Sequence, residues 1–237
     1  MAYFNNPCFE LMAKTAPFNP VSLLLDVARD NHRPAEAALS DFLDYAIEAF
    51  AAEKYTTHDS IESILSEAKG KSEPYFRLLL YWFIHVERQM LHGRWYDFFG
   101  SVYEQMFQSK SKASQMGQFF TPPSVSNLMA DIVAQQEGEN APQRISDPCC
   151  GSGRLLLAHY MQNATPEHCG QSVGYYVAQD LDPVSCKMCA LNFMAHGMIG
   201  EVHCQDTILL TPPTVSYYVN EVRTPFPTPF YSIRKVV

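Results

Sequence analysis

Seven consecutive residues, Asp147-Pro148-Cys149-Cys150-Gly151-Ser152-Gly153, have the composition of a strand-to-helix turn suited to holding a ligand. Glycines let a bound group approach the backbone. The free N–H groups that open a helix, at the carboxyl ends of parallel strands, attract polar or anionic atoms. A lone Gly-x-Gly is equally the mark of a tight turn, so the neighbouring acids matter. Asp180 ends the next apolar run, 27 positions after Gly153, and Asp206 ends the one after that. In a doubly wound sheet the acid at the end of the second strand accepts hydrogen bonds from ribose hydroxyls. Asp147, Asp180 and Asp206 are therefore expected to converge on one crevice, while Asp182, followed by Pro183, reads more simply as a helix cap.

Other residues of chemical interest carry less. Cys186 and Cys189 have metal-like spacing but no second Cys or His pair beside them, so they read as helix packing and no metal is expected. His168-Cys169 and His203-Cys204 bracket different elements. The aromatic stretch 75–83 could stack on bases, yet it lacks interleaved Lys and Arg and reads as core.

The elements that must position the three acids alternate along the second half of the chain. Strands are expected over 145–149, 173–178 and 202–204, and helices over 153–161 and 183–196, the second ended by Gly197. That alternation implies parallel strands joined by right-handed crossovers, the start of a doubly wound sheet. Ahead of it, Val125, Leu128, Met129, Ile132 and Val133 keep helical phase after Thr121, a candidate cap, and Pro122-Pro123. Residues 40–107 read as helices. One carries Phe42, Leu43, Ala46, Ile47 and Phe50 behind a Ser40 or Asp41 cap, a second starts near Asp59, a third spans 75–92, and a fourth runs through Phe98 to Phe107. The polar run 108–116 suits a surface loop. After Asp206 only 215–219 could add a strand, because prolines crowd the rest of the tail. The domain division is then a helical region over 1–110 and an α/β sheet domain with a Pro-rich tail over 111–237.

Composition bounds the partners. The 237 residues carry a net charge of −8 and are 47% hydrophobic, enough to bury a full core. Both halves of the chain are acidic, so DNA contact needs local patches or a partner. The longest apolar run, 78–84, is far short of the roughly 20 residues that span a bilayer. Nothing at the start reads as a secretory signal, and seven cysteines without that context are expected as reduced thiols in the cytoplasm.

Taken in order, several segments resemble the adenine-N6 DNA methyltransferases, specifically the methylation subunit of type I restriction-modification systems. They are the segment from Asp97 to Glu104, Gly117-Gln118-Phe119-Phe120-Thr121-Pro122, the 147–153 loop, Gln179-Asp180, Asn192 through Gly197, and Gln205-Asp206-Thr207. The resemblance implies a Rossmann-like class I fold, here truncated after strand 3 or 4, with S-adenosylmethionine in the crevice. It places Phe119, Thr121 and Pro122 against the methionine end of the cofactor. Asp147, Gly151, Ser152 and Gly153 would cradle its amino-acid part, Asp180 with Leu181 its ribose, and Asp206 with Thr207 its adenine. It also implies methyl transfer to adenine-N6 in DNA, performed with a specificity or partner subunit, and it is compatible with an oligomer.

One departure qualifies that reading. Adenine methylation needs a flipped base whose exocyclic amine is held by acceptors, which the family supplies as Asn or Asp, Pro, Pro, then Tyr or Phe. No such tetrapeptide occurs in the chain. Thr211-Pro212-Pro213-Thr214 reads as a turn, and Asn220 is left as the catalytic candidate, without the prolines or the ring. Activity of the chain alone is thereby put in doubt, and the alternative is a non-catalytic cofactor-binding partner or regulator of a restriction-modification system.

Overall fold

The computed structural model describes residues 18–54, 72–107, 120–134, 144–163, 174–221 and 231–237. The expected helix near Asp59, the loop at 108–116 and Phe119 lie outside them. The first helix, α1 (Pro20–Asp30), was not singled out from the sequence. It starts in the standard way, with Asn19 Oδ1 accepting the N–H groups of Val21 and Ser22 and Pro20 in the first turn. Helix α2 (Ala35–Ala49) begins five residues before Ser40, behind Pro34, so neither Ser40 nor Asp41 is its cap. Both sit inside the helix instead, and Ser40 with Asp44 receives Lys187 Nζ at 3.1 and 2.6 Å. Helices α3 (Glu73–Leu91) and α4 (Phe98–Phe107) lie where the apolar spacing puts them. In helix α5 (Pro123–Ala134) the Pro122 carbonyl accepts from Val125 and Ser126, which makes Pro122 rather than Thr121 the cap residue.

The second half builds β1 (Arg144–Asp147), α6 (Arg154–Asn163), β2 (Tyr175–Asp180), α7 (Pro183–Ala195), β3 (Ile199–Cys204), β4 (Val215–Val219) and β5 (Ile233–Val236). They form one five-stranded sheet in the order β1-β2-β3-β4-β5, more strands than the three or four expected. The first three run parallel, and β4 and β5 return antiparallel. Strand β5 corrects the reading of the tail as strandless, for its last proline, Pro229, precedes the strand and removes no ladder donor. Asp182 caps α7 through Ser185, as expected.

Both crossovers step in the same direction across the sheet and therefore put their helices on the same face. Tyr176 of β2 accordingly meets Tyr160 of α6 and Phe193 of α7 on one side. Among the described residues the sheet is thus wound on one face rather than two. The other face carries a self-paired polar layer. Glu201 bonds Arg144 at 2.8 Å and Tyr175 at 3.2 Å, His203 Nδ1 meets Ser216 Oγ at 2.8 Å, and the Arg234 guanidinium lies 4.0 Å over the Tyr218 ring. Gly200 is required where β2 and β3 pair, because a Cβ there would fall 2.1 Å from the Tyr176 carbonyl oxygen.

One hydrophobic core runs through both halves, from Phe42, Trp82 and Phe99 to Leu157, Tyr176 and Phe193. Lys187 and the backbone of Ile233, bonded to Phe50 and Ala52, tie α2 to the sheet layer. No helix among the described residues is long and apolar enough to cross a membrane.

His196, fully buried at the end of α7, joins that layer to the approach of α4. Its Nδ1 donates to the Asn192 carbonyl at 2.7 Å and its Nε2 accepts the Tyr96 N–H at 3.2 Å. Both bonds need the neutral ring, and burial pulls its pKa from 6.5 down to about 4. Between those values the unfolded chain binds a proton that the folded one does not. The contribution of His196 is therefore complete above pH 6.5 and is lost as the pH falls toward 4, at up to about 1.4 kcal/mol per pH unit. Urea unfolding of the wild type and His196→Gln across this window should show that slope in the wild type and its loss in the variant; equal slopes would contradict the assignment.

Candidate functional site

The carboxyl ends of β1, β2 and β3 form one edge of the sheet, and the loops that leave them are tied together by backbone hydrogen bonds. After β1 the chain turns at once: Asp147 Oδ1 accepts the Cys149 N–H at 3.0 Å, and Gly151 and Gly153 adopt φ of +53° and +91°. Those values favour glycine, and space enforces the choice. A Cβ on Gly153 would sit 2.9 Å from Cys189 Sγ, and one on Gly151 would press on the Phe120 ring at 3.2 Å.

Asp180 holds this loop in place. Its Oδ2 accepts the Gly151 N–H at 2.8 Å and its Oδ1 accepts the Asp182 N–H at 2.9 Å. Asp206 organises the third loop, with Oδ1 accepting the N–H groups of Ile208 and Leu209 at 2.9 Å each. Thr207 Oγ1 crosses to the Pro148 carbonyl at 3.2 Å and joins the third loop to the first. Leu181 is 68% exposed at the rim.

Between the 147–153 loop and the Phe120-Thr121 segment lies a small cleft of about 50 Å³. Asp147, Gly151, Ser152 and Thr121 line it, together with Arg154 and Cys149. Asp147 Oδ2 is buried and has no hydrogen-bond partner among the described residues. Burial raises the pKa of this carboxyl, against the lowering effect of the Cys149 N–H and with help from the Asp180 charge. An orphan buried acceptor costs about 1–3 kcal/mol, so a donor-bearing ligand in the cleft would recover that energy.

Behind the loop lies a polar network that the sequence reading did not assign. Asp97, 2% exposed, accepts four hydrogen bonds: from the Gly100 N–H and Asn192 Nδ2 on Oδ1, both at 2.8 Å, and from Ser152 Oγ at 2.6 Å and Arg154 Nε at 2.5 Å on Oδ2. Arg154 continues outward to both oxygens of Glu104, at 3.1 and 2.8 Å, and to the Thr121 carbonyl at 3.2 Å, and its guanidinium lies 5.2 Å from the Phe120 ring. Asn192 Nδ2 also donates to the Ser152 carbonyl at 2.9 Å. Burial works against the charge on Arg154, but the hydrogen bonds and charges of Glu104 and Asp97 outweigh it and leave its pKa raised. Asp97 is legible as an N-cap, since its carboxylate takes the Gly100 N–H three residues on. No local signal links it to Arg154, 57 positions away.

The structure therefore brings Thr121, Asp147, Gly151 and Ser152 to one cleft, with Asp180 behind it and Thr207 across it. Asn220 is elsewhere. Because β4 runs antiparallel, Asn220 follows a strand end that pairs with the start of β3, at the opposite edge of the sheet. Its amide is spent on the fold, donating to the Met194 and Met198 carbonyls at 3.2 and 3.0 Å and accepting the Ser232 N–H at 3.0 Å. Cys186 and Cys189 are buried in α7, where burial raises both thiols' pKa. No group of His, Cys, Asp and Glu among the described residues could hold a metal ion.

Residues 94–221, more than half of the chain, match the family model described as N-6 DNA Methylase. The chain is 27% identical over 126 residues to the type I restriction enzyme EcoEI methylase subunit of Escherichia coli, covering 50% of this chain and 24% of that one. It is 29% identical over 133 residues to the MjaVIII methylase subunit of Methanocaldococcus jannaschii, covering 54% and 21%. To the MjaIX methylase subunit of the same organism it is 25% identical over 173 residues, covering 71% and 29%. The matched region thus spans about a quarter of the length of these relatives. No solved structure matches.

Asp97→Ala would leave a buried guanidinium and the donors of Ser152 and Asn192 facing a void. Removing one partner of a buried ion pair costs about 3–5 kcal/mol, and that loss is expected in urea unfolding of the variant. A loss below about 1 kcal/mol, the scale of a surface pair, would contradict the central place given to this carboxylate.

Proposed function

The chain belongs to the N-6 DNA methylase family, and on that premise we propose that it binds S-adenosylmethionine at the carboxyl ends of β1–β3 as the cofactor-holding part of a type I methylation subunit. The observation that carries this reading is that Asp147 lines the cleft and keeps a buried Oδ2 without a hydrogen-bond partner among the described residues, an acceptor suited to an ammonium group that reached it. When bound, the cofactor would supply an electrophilic methyl group on a sulfonium.

The residues present fit that group. Asp147 would accept from its ammonium, and the tight Gly151-Ser152-Gly153 backbone would let its amino-acid end approach. Asp180 spends one lone pair of each oxygen on the N–H groups of Gly151 and Asp182; a carboxylate has about four acceptor sites in all, so ribose hydroxyls can still be received. Thr121 and Pro122 would form the opposite wall, anchored through the Thr121 carbonyl to Arg154. Asp206 and Thr207, with Leu181 at the rim, would face the adenine. Phe119 is included on the resemblance alone.

Transfer to adenine in DNA needs acceptors for the exocyclic amine beneath the methyl. The chain has no Asn/Asp-Pro-Pro-Tyr/Phe tetrapeptide, and the Asn220 amide is engaged on the far edge of the sheet. Our reading therefore gives cofactor binding to this chain, with DNA engaged through a specificity or partner subunit. A second reading, a non-catalytic partner or regulator of a restriction-modification system, is favoured by the same missing tetrapeptide.

Calorimetric titration with S-adenosylmethionine tests the reading. The wild type should bind. Asp147→Asn, whose amide oxygen can still take the Cys149 N–H, should bind at least about tenfold more weakly, which is about 1.4 kcal/mol, with unfolding unchanged. Binding without methyl transfer to DNA, even with a specificity subunit present, would select the regulator. A folded wild type that does not bind would overturn the cofactor assignment.

A further inference from the structure

Two carboxylates meet Arg154 on different terms: Asp97, just ahead of α4, and Glu104, within it. Asp97, 2% exposed, accepts from Nε, whereas Glu104, 37% exposed, accepts from Nη1 and Nη2 with one oxygen each. Removing one partner of a buried ion pair leaves a desolvated charge behind, so the Asp97 pair is tied to stability. A pair that water reaches contributes little to it. What the Glu104 pair does fix is direction, because two parallel N–H bonds to one carboxylate set the plane of a guanidinium. The same Nη1 that meets Glu104 donates to the Thr121 carbonyl at 3.2 Å. The guanidinium also lies 5.2 Å from the Phe120 ring, which has Tyr103 edge-on at 5.5 Å and would be pressed at 3.2 Å by a Cβ on Gly151. Tyr103 and Glu104, adjacent on α4, thus act on the Phe120-Thr121 wall from behind, and neither lines the cleft itself.

We propose that Glu104 is a positioning residue for the cofactor: acting through Arg154, it sets the Phe120-Thr121 wall at the separation from the glycine loop that the amino-acid end of S-adenosylmethionine requires. The inference rests on the cofactor reading above and deepens it. Two carboxylates on one guanidinium then divide their roles, Asp97 serving the fold and Glu104 the affinity. The cleft holds only about 50 Å³, so a small displacement of one wall changes which groups of a ligand can reach both sides. Supporting side chains of this kind lock the rotamers of the residues that line a site.

Calorimetric titration with S-adenosylmethionine, paired with urea unfolding of the wild type, Glu104→Ala and Glu104→Gln, separates the two roles. Glu104→Ala should keep the wild-type urea midpoint and bind at least about tenfold more weakly, since misplacing a binding wall is costly even from a distance. Glu104→Gln, whose amide oxygen can still accept a guanidinium N–H, should recover most of that affinity. Wild-type affinity in Glu104→Ala would overturn the proposal and leave the cofactor reading standing. A loss of affinity that comes with a lowered urea midpoint would also overturn it, because Glu104 would then serve the fold. Glu104→Gln binding no better than Glu104→Ala would do the same, because the hydrogen bond to Arg154 would not be the cause. A folded wild type that does not bind would remove the cofactor reading and this inference together.

Discussion

A single buried carboxylate, Asp97, fixes the relation between the helical half of the chain and the glycine loop. It lies at the start of α4, yet it is bonded to Ser152 on the loop that leaves β1, to Arg154 at the first position of α6 and to Asn192 on α7. Three segments distant in sequence thus share one acceptor group. In a low-dielectric interior such a network is strong when complete and costly when any member is missing. Arg154 extends it to the Thr121 carbonyl and over the Phe120 ring, so the opposite wall of the cleft is positioned by the same ion pair. The N-terminal helices are in this sense part of the site, and the core that runs continuously beneath them is consistent with that.

The three strand-end acids divide their work. Asp180 and Asp206 organise backbone: one holds the first loop, the other the third. Asp147 caps its own turn with one oxygen and leaves the other buried and free. Among the described residues two buried side-chain acceptors lack a partner, Asp147 Oδ2 and Asn192 Oδ1, and only the first belongs to a residue that lines the cleft; that asymmetry, more than the size of the cleft, directs the functional reading.

Much of this was legible from residue types. The strand-helix alternation, the Asp182 cap, Gly151 and Gly153 in the turn, and the placement of Asp147 and Asp180 at strand ends all follow from local chemistry and are found in the structure. What escaped depended on distant contacts. The Asp97–Arg154 pair joins residues 57 positions apart, and periodicity carries no trace of such a partnership. The antiparallel return of β4 moved Asn220 to the opposite edge of the sheet, and strand direction cannot be read from a five-residue strand such as Val215–Val219. The α5 stripe has the spacing of a buried face and yet is exposed, because amphipathic phase reports that a helix needs a partner without saying which one. Prolines near β5 suppressed a strand that begins only after the last of them.

The most direct test is a crystal structure of the protein grown with S-adenosylmethionine. The ammonium group should lie within hydrogen-bond distance of Asp147 Oδ2, the ribose beside Asp180, and the Asp97–Arg154 network should be intact behind the loop. A cofactor bound elsewhere, or a cleft with Asp147 Oδ2 turned away from the ligand, would contradict the account.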